Sequence, residues 1–182
     1  MMSIEVSDLF GALSALGAGE FIHLNGSLER HLVAVHDLLQ SWGADETLCR
    51  AGLYHAAYGT AGFTAAMVSP TQRAEIAALI GNDAEQIVYS YCSCDRQFVW
   101  PQIGTSDPVG FRDRFTGVVD VIDGPDLTAF CELTCANELE IANGDKDFIE
   151  RAGGYLGRLF RSWDHLLSDP AQHAVKSLFR AR

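Results

Sequence analysis

The chain has 182 residues, 48% of them hydrophobic and 20% charged, with 13 basic against 24 acidic side chains and a net charge of −11. The balance is that of a globular protein, and its sign argues against nucleic acid and anionic membrane surfaces as partners. Both are engaged by clustered Lys and Arg, and Lys176, Arg180 and Arg182 make only a short basic tail.

The first residues carry no basic region followed by an apolar run, and no apolar stretch approaches the roughly 18 residues of a membrane span. Five cysteines (Cys49, Cys92, Cys94, Cys131, Cys135), odd in number and scattered, argue against a disulfide framework. A cytoplasmic protein with reduced thiols, forming one domain over 1–182, is therefore expected. The pairs Cys92/Cys94 and Cys131/Cys135 lack zinc-finger spacing and read as buried small hydrophobes rather than ligands for a soft metal.

In chain order, Val6, Leu9, Phe10, Leu13 and Leu16 recur at helical spacing and predict a short amphipathic helix closed by Gly17. Cap signals at Asn25 and Ser27 precede a strong helix over about 28–42, with Leu28, His31, Leu32, Val35, Leu38, Leu39 and Trp42 on one stripe. Asp45 caps a helix reaching about Tyr58, on which Leu48, Ala51, Gly52 and His55 share a face; its small residues allow close helix approach and room for a ligand. Ser69-Pro70-Thr71-Gln72 is a capping box opening a helix that stops at Gly81, and Asp83 starts another. From Cys92 to Asp123 the pattern loosens into loops, with a short β-hairpin expected near 113–122. Helices return at about 125–143, 147–167 and from Pro170 on. The fold class is mainly all-α, a helical bundle.

His31 and His55 lie inside the apolar stripes of consecutive helices, where a buried imidazole requires a partner. Two histidines in one helical seam form a common kind of metal site, each offering a ring nitrogen to a divalent ion; a pair of hydrogen-bonded core residues is the alternative. Glu138 shares the stripe of Leu127, Cys131, Thr134 and Ile141. It either joins the histidines, as a ligand or general base, or pairs with Arg96 or Arg112. Glu140 and Asn143 depend on the same helix phase. Tyr54 and Tyr58 flank His55 and could donate phenolic hydrogen bonds to a substrate or to metal-bound water. His36-Asp37 reads as a surface pair, and Asp95-Arg96 as a ligand contact or a loop salt bridge. His165 and His173 read as solvated.

The segment from His31 to Gly59-Thr60, with the helix ending at Ile80-Gly81, resembles the HD superfamily, most closely its ppGpp-hydrolase type. In that type a histidine on one helix precedes Ala-Leu-Leu-His-Asp, an acidic Glu-Asp-Thr stretch, a helix ending in Phe-Gly and a late Ala-Asp. By this resemblance His31 is the first histidine, Ala51-Gly52-Leu53-Tyr54-His55 the second, and Ile141-Ala142-Asn143 stands at the Ala-Asp. Trp42-Gly43, Ala51 to His55 and Tyr58 to Thr60 are also similar to an uncharacterised bacterial domain family without assigned activity.

The chain departs from the HD pattern at Ala56, where the bridging aspartate would stand, at Tyr58-Gly59 and at Asn143. With the negative charge lost, hard cations are held poorly. What the resemblance then implies is a mononuclear metal site built from His31, His55 and a third ligand from His23, Asn143 or Glu138, with His55, Glu138 and Tyr58 as catalytic candidates. The divalent metal would be zinc, manganese or iron. The expected function is metal-assisted hydrolysis of a small polar or phosphorylated substrate. The alternatives are a non-haem iron oxygenase of HD type and a metal-free binding or accessory protein that has lost the ligands.

Overall fold

The computed structural model describes residues 6–20, 22–23 and 26–179. It is mainly α-helical. Helix α1 (Val6–Ala15) leads into a two-residue antiparallel pair, β1 (Ile22–His23) and β2 (Gly26–Ser27). Helix α2 (Leu28–Ser41) starts where the Ser27 hydroxyl accepts the Arg30 amide at 3.3 Å, the cap read from sequence. Asn25, the other cap candidate, lies outside the described residues. Trp42 closes α2 and is half-buried, and Gly43 turns the chain at a φ of +80°.

Helix α3 (Glu46–Tyr54) is capped by Asp45, whose carboxylate accepts the Leu48 amide at 2.8 Å. It stops short of Tyr58: the amides of Ala57 and Gly59 bond three residues back, to the Tyr54 and Ala56 carbonyls, and the Ala57 carbonyl accepts the amides of Met67 and Val68 from the returning loop. The capping box at Ser69 and Gln72 forms as expected, opening a single 3₁₀ turn before α4 (Arg73–Ile80). Helix α5 (Asn82–Ser93) follows, then a four-residue helix, α6 (Arg96–Val99), that periodicity could not register.

The hairpin pairs β3 (Val109–Arg112) with β4 (Val119–Ile122), Arg112 opposite Val119. It begins upstream of the expected 113–122 because Asp113 forms the turn, its Oδ1 accepting the amides of Phe115 and Thr116 at 2.7 and 3.1 Å. Helices α7 (Gly124–Gly144), α8 (Lys146–Ser162) and α9 (Asp169–Leu178) complete the chain. Helix α8 ends before the expected 167, at a 3₁₀ turn over Asp164–Leu166.

Two apolar clusters hold these elements. One gathers Leu9, Leu13, Leu28, Leu32, Leu53, Ile76 and Val88 from α1 to α5. The other packs Val35, Leu39 and Tyr91 against α7, α8 and α9 through Phe130, Leu133, Phe160 and Trp163. Helix α2 supplies residues to both. Helix α7 is buried at every position from 130 to 139, so it is a central rod rather than an amphipathic one. Among the described residues no helix is long and apolar enough to cross a membrane.

Candidate functional site

The buried stripe of α2 runs Leu28, His31, Leu32, Val35, His36, Leu39, which puts His31 inside the bundle. Helix α3 lies against it at Gly52, where a Cβ would stand 2.6 Å from Leu39 Cδ1 and 3.6 Å from the His36 backbone. The small residue therefore serves helix approach and leaves no room for a ligand. This close approach delivers His55, which caps the C-terminus of α3, to His31: the two Nε2 atoms are 3.2 Å apart, at residues 3% and 1% exposed.

The outer nitrogens fix the tautomers. His55 Nδ1 is 2.7 Å from the Gly52 carbonyl and must donate to it. His31 Nδ1 meets the Glu140 carboxylate, also an acceptor. With both rings neutral, both Nε2 atoms therefore turn a lone pair inward. Helix α7 adds a third inward acceptor, Asn137 Oδ1, 3.0 Å from His31 Nε2. Its amide is held in that sense because Nδ2 donates to Glu138 Oε1 at 3.1 Å. Acceptors this close repel, and a proton on His31 or a cation among them would relieve the repulsion.

A cavity of about 440 Å³ opens beside these groups. His31, His55, Asn137 and Glu138 form its polar wall with Arg96 and Thr60, and Leu28, Ala56, Phe63, Ile141 and Phe148 its apolar one. Arg96 donates to Glu138 Oε1 at 3.0 Å and to the Tyr91 hydroxyl at 2.9 Å, and its guanidinium stacks 4.8 Å from the Trp100 ring. Burial pushes the Tyr91 phenol well above its ordinary range, and the Tyr91 ring meets His55 edge-on with centroids 5.3 Å apart.

The sequence-predicted residues separate accordingly. His31, His55 and Glu138 converge on the cavity, and Glu138 also pairs with Arg96, so its two readings coexist. His23 ends β1, and its side chain is outside the described residues. Asn143 is exposed near the end of α7 and does not line the cavity; Asn137 stands at the pair instead. Tyr58 is turned away, its hydroxyl donating to Glu85 at 2.8 Å within a buried network completed by Arg73. Tyr54 donates to the Leu9 carbonyl at 2.8 Å. His36 is buried, not superficial, packing edge-on to Phe10. All five cysteines are buried and unbridged.

Asn137 carried no clear sequence signal, and Glu140 was open to helix phase, because α7 has no solvent face along 130–139 from which to phase it. Among the described residues no group of three or more His, Cys, Asp or Glu is arranged for a metal ion. The donor set that does converge is two imidazoles and an amide oxygen. With metal–ligand bonds of about 2.1 Å, two ligands of one ion lie roughly 3.0 to 3.4 Å apart, and the 3.2 and 3.0 Å spans from His31 Nε2 fall in that range. The chemistry of the set fits a borderline divalent ion.

Residues 12–96 match the model of a domain of unknown function (DUF6817). The matched segment includes His31, His55 and Arg96 and stops before α7. No curated protein and no solved structure matches the chain.

Proposed function

We propose that the cavity is the substrate site of a small-molecule enzyme of HD kind, in which a divalent metal held by His31, His55 and Asn137 assists hydrolysis of a small polar substrate. The observation that carries the reading is the tautomer pattern: Gly52 and Glu140 occupy both outer nitrogens, as partners of metal-bound histidines do. When bound, such an ion supplies a water that deprotonates near neutral pH.

The chain's own groups perform the remaining tasks. Glu140 and the Gly52 carbonyl lock the two rings, and Glu138 holds the Asn137 amide oxygen inward. Glu138 Oε2, which receives no hydrogen bond among the described residues, is placed at the cavity wall to take a proton from an attacking water. Arg96 fixes that carboxylate, and Phe63, Ile141 and Phe148 keep bulk water from the reacting groups.

Hydrolysis is preferred to iron–oxygen chemistry because the group beside the inner nitrogen of His31 is the Asn137 amide oxygen rather than a carboxylate: Glu140 takes the outer nitrogen of His31, and Glu138 Oε1 serves Arg96 and Asn137. The lack of a three-residue His, Cys, Asp or Glu cluster among the described residues favours a second reading, a metal-free binding protein in which a proton on His31 Nε2 faces two acceptors, His55 Nε2 and Asn137 Oδ1.

Metal analysis of protein purified without chelator decides between them. About one equivalent of zinc, manganese or iron is expected, lost in His55→Ala and His31→Ala while the helical circular-dichroism spectrum stays intact. A metal-free protein whose melting is unchanged by EDTA would overturn the metal reading.

A further inference from the structure

We infer that Glu138 sets the charge selectivity of the metal-free cavity, whose own side chains favour an uncharged molecule bearing an N–H donor on an apolar body over phosphate esters and other anions. The inference rests on the cavity being the substrate site but not on a metal being bound there. Among the described residues Glu138 and Arg96 are the fixed charges lining it, and they face each other at 3.0 Å. The guanidinium, 20% exposed, is already committed to Glu138, to the Tyr91 hydroxyl and to the Trp100 face. Among the described residues no Lys and no other Arg lines the cavity, so a phosphate entering it without a metal would meet no unspent side-chain cation while losing its hydration.

What remains on offer is complementary to a neutral molecule. Glu138 is 5% exposed, and both of its hydrogen bonds are made by Oε1, which leaves Oε2 as an acceptor at the wall. Thr60, equally buried, uses its hydroxyl oxygen to accept the Phe63 amide, so its proton is available to donate. Leu28, Phe63, Ile141 and Phe148 also line the cavity, an apolar wall for an aliphatic or aromatic body.

Three probes of one shape and different charge read the selectivity: benzamide, benzoate and benzamidine, titrated calorimetrically into the full chain with EDTA present. Benzamide should bind saturably and the two ions more weakly. Glu138→Gln removes the counter-charge of Arg96 and should raise benzoate affinity by about tenfold or more with little change for benzamide. Arg96→Gln leaves Glu138 unbalanced and should favour benzamidine instead, which keeps the test decisive if the first variant fails to fold. Wild-type protein that binds benzoate as tightly as benzamide, or that fails to bind benzamide, would overturn the inference. So would a folded Glu138→Gln with unchanged benzoate affinity. None of these results depends on metal content, whose failure would strike the hydrolytic reading alone.

Discussion

Gly52 shows how one hydrogen atom positions His55. A methyl group there would stand 2.6 Å from Leu39 Cδ1, so Gly52→Ala should cost about 1 to 3 kcal/mol in urea unfolding and spread the histidine pair. His36 lies in the same seam. Because it is buried against Phe10, His36→Ala should cost about 1 to 2 kcal/mol; a neutral result would return it to the surface. Sequence located His31 and His55 because an imidazole interrupts an otherwise apolar stripe. It misplaced His36 because a residue at the edge of a stripe is exposed or covered according to what packs there, and α1 supplies Phe10.

Tyr58 teaches the same lesson at the level of elements. Read as the last turn of a helix running to 58, it flanks His55; with α3 ending at Tyr54, the turn at 55–58 sends its hydroxyl to Glu85 instead. Arg73 grips Glu85 at 2.7 and 2.6 Å and covers Tyr89, which donates to Asp113 in the hairpin turn. The network ties the turn after α3 to α4, α5 and the hairpin. Tyr58→Phe should therefore cost on the order of 1 kcal/mol and leave the metal content and probe binding at wild-type levels; a loss of either would restore Tyr58 to the site. Helices with a solvent face were legible, as the Ser27 and Asp45 caps confirm. The central α7 was legible as a helix but not in phase, so Glu138 was found with Ile141 on one stripe while Asn137 was missed.

For the whole molecule, the cavity lies where the two apolar clusters meet. The matched segment 12–96 supplies both histidines, and α7, outside it, supplies Asn137 and Glu138. Half of the constellation is therefore invisible to any reading confined to the matched segment. Its integrity depends on the distant packing of α7: Trp163→Ala, at a residue with no exposure, should cost about 3 to 5 kcal/mol and loosen the cavity with it. Burial also sets the response to alkali. It lifts the Cys92 and Cys94 thiols from 9.0, and the Tyr54 phenol from 10.0, up to about 12. Since the fold favours the protonated forms, their contribution is full below pH 9 and is lost as the pH rises towards 12. Urea midpoints should fall as the pH rises above about 9; midpoints that hold unchanged to about pH 12 would contradict this.

The thiol of Cys92 has one more consequence. It donates to the His55 carbonyl at 3.1 Å, directly behind the candidate site. An alkylating reagent can reach it only while the bundle is transiently open, so the rate of its modification is a clock for that opening. A ligand seated in the cavity must slow the clock in proportion to its occupancy, which turns an inert buried sulfur into a label-free screen for what this protein binds.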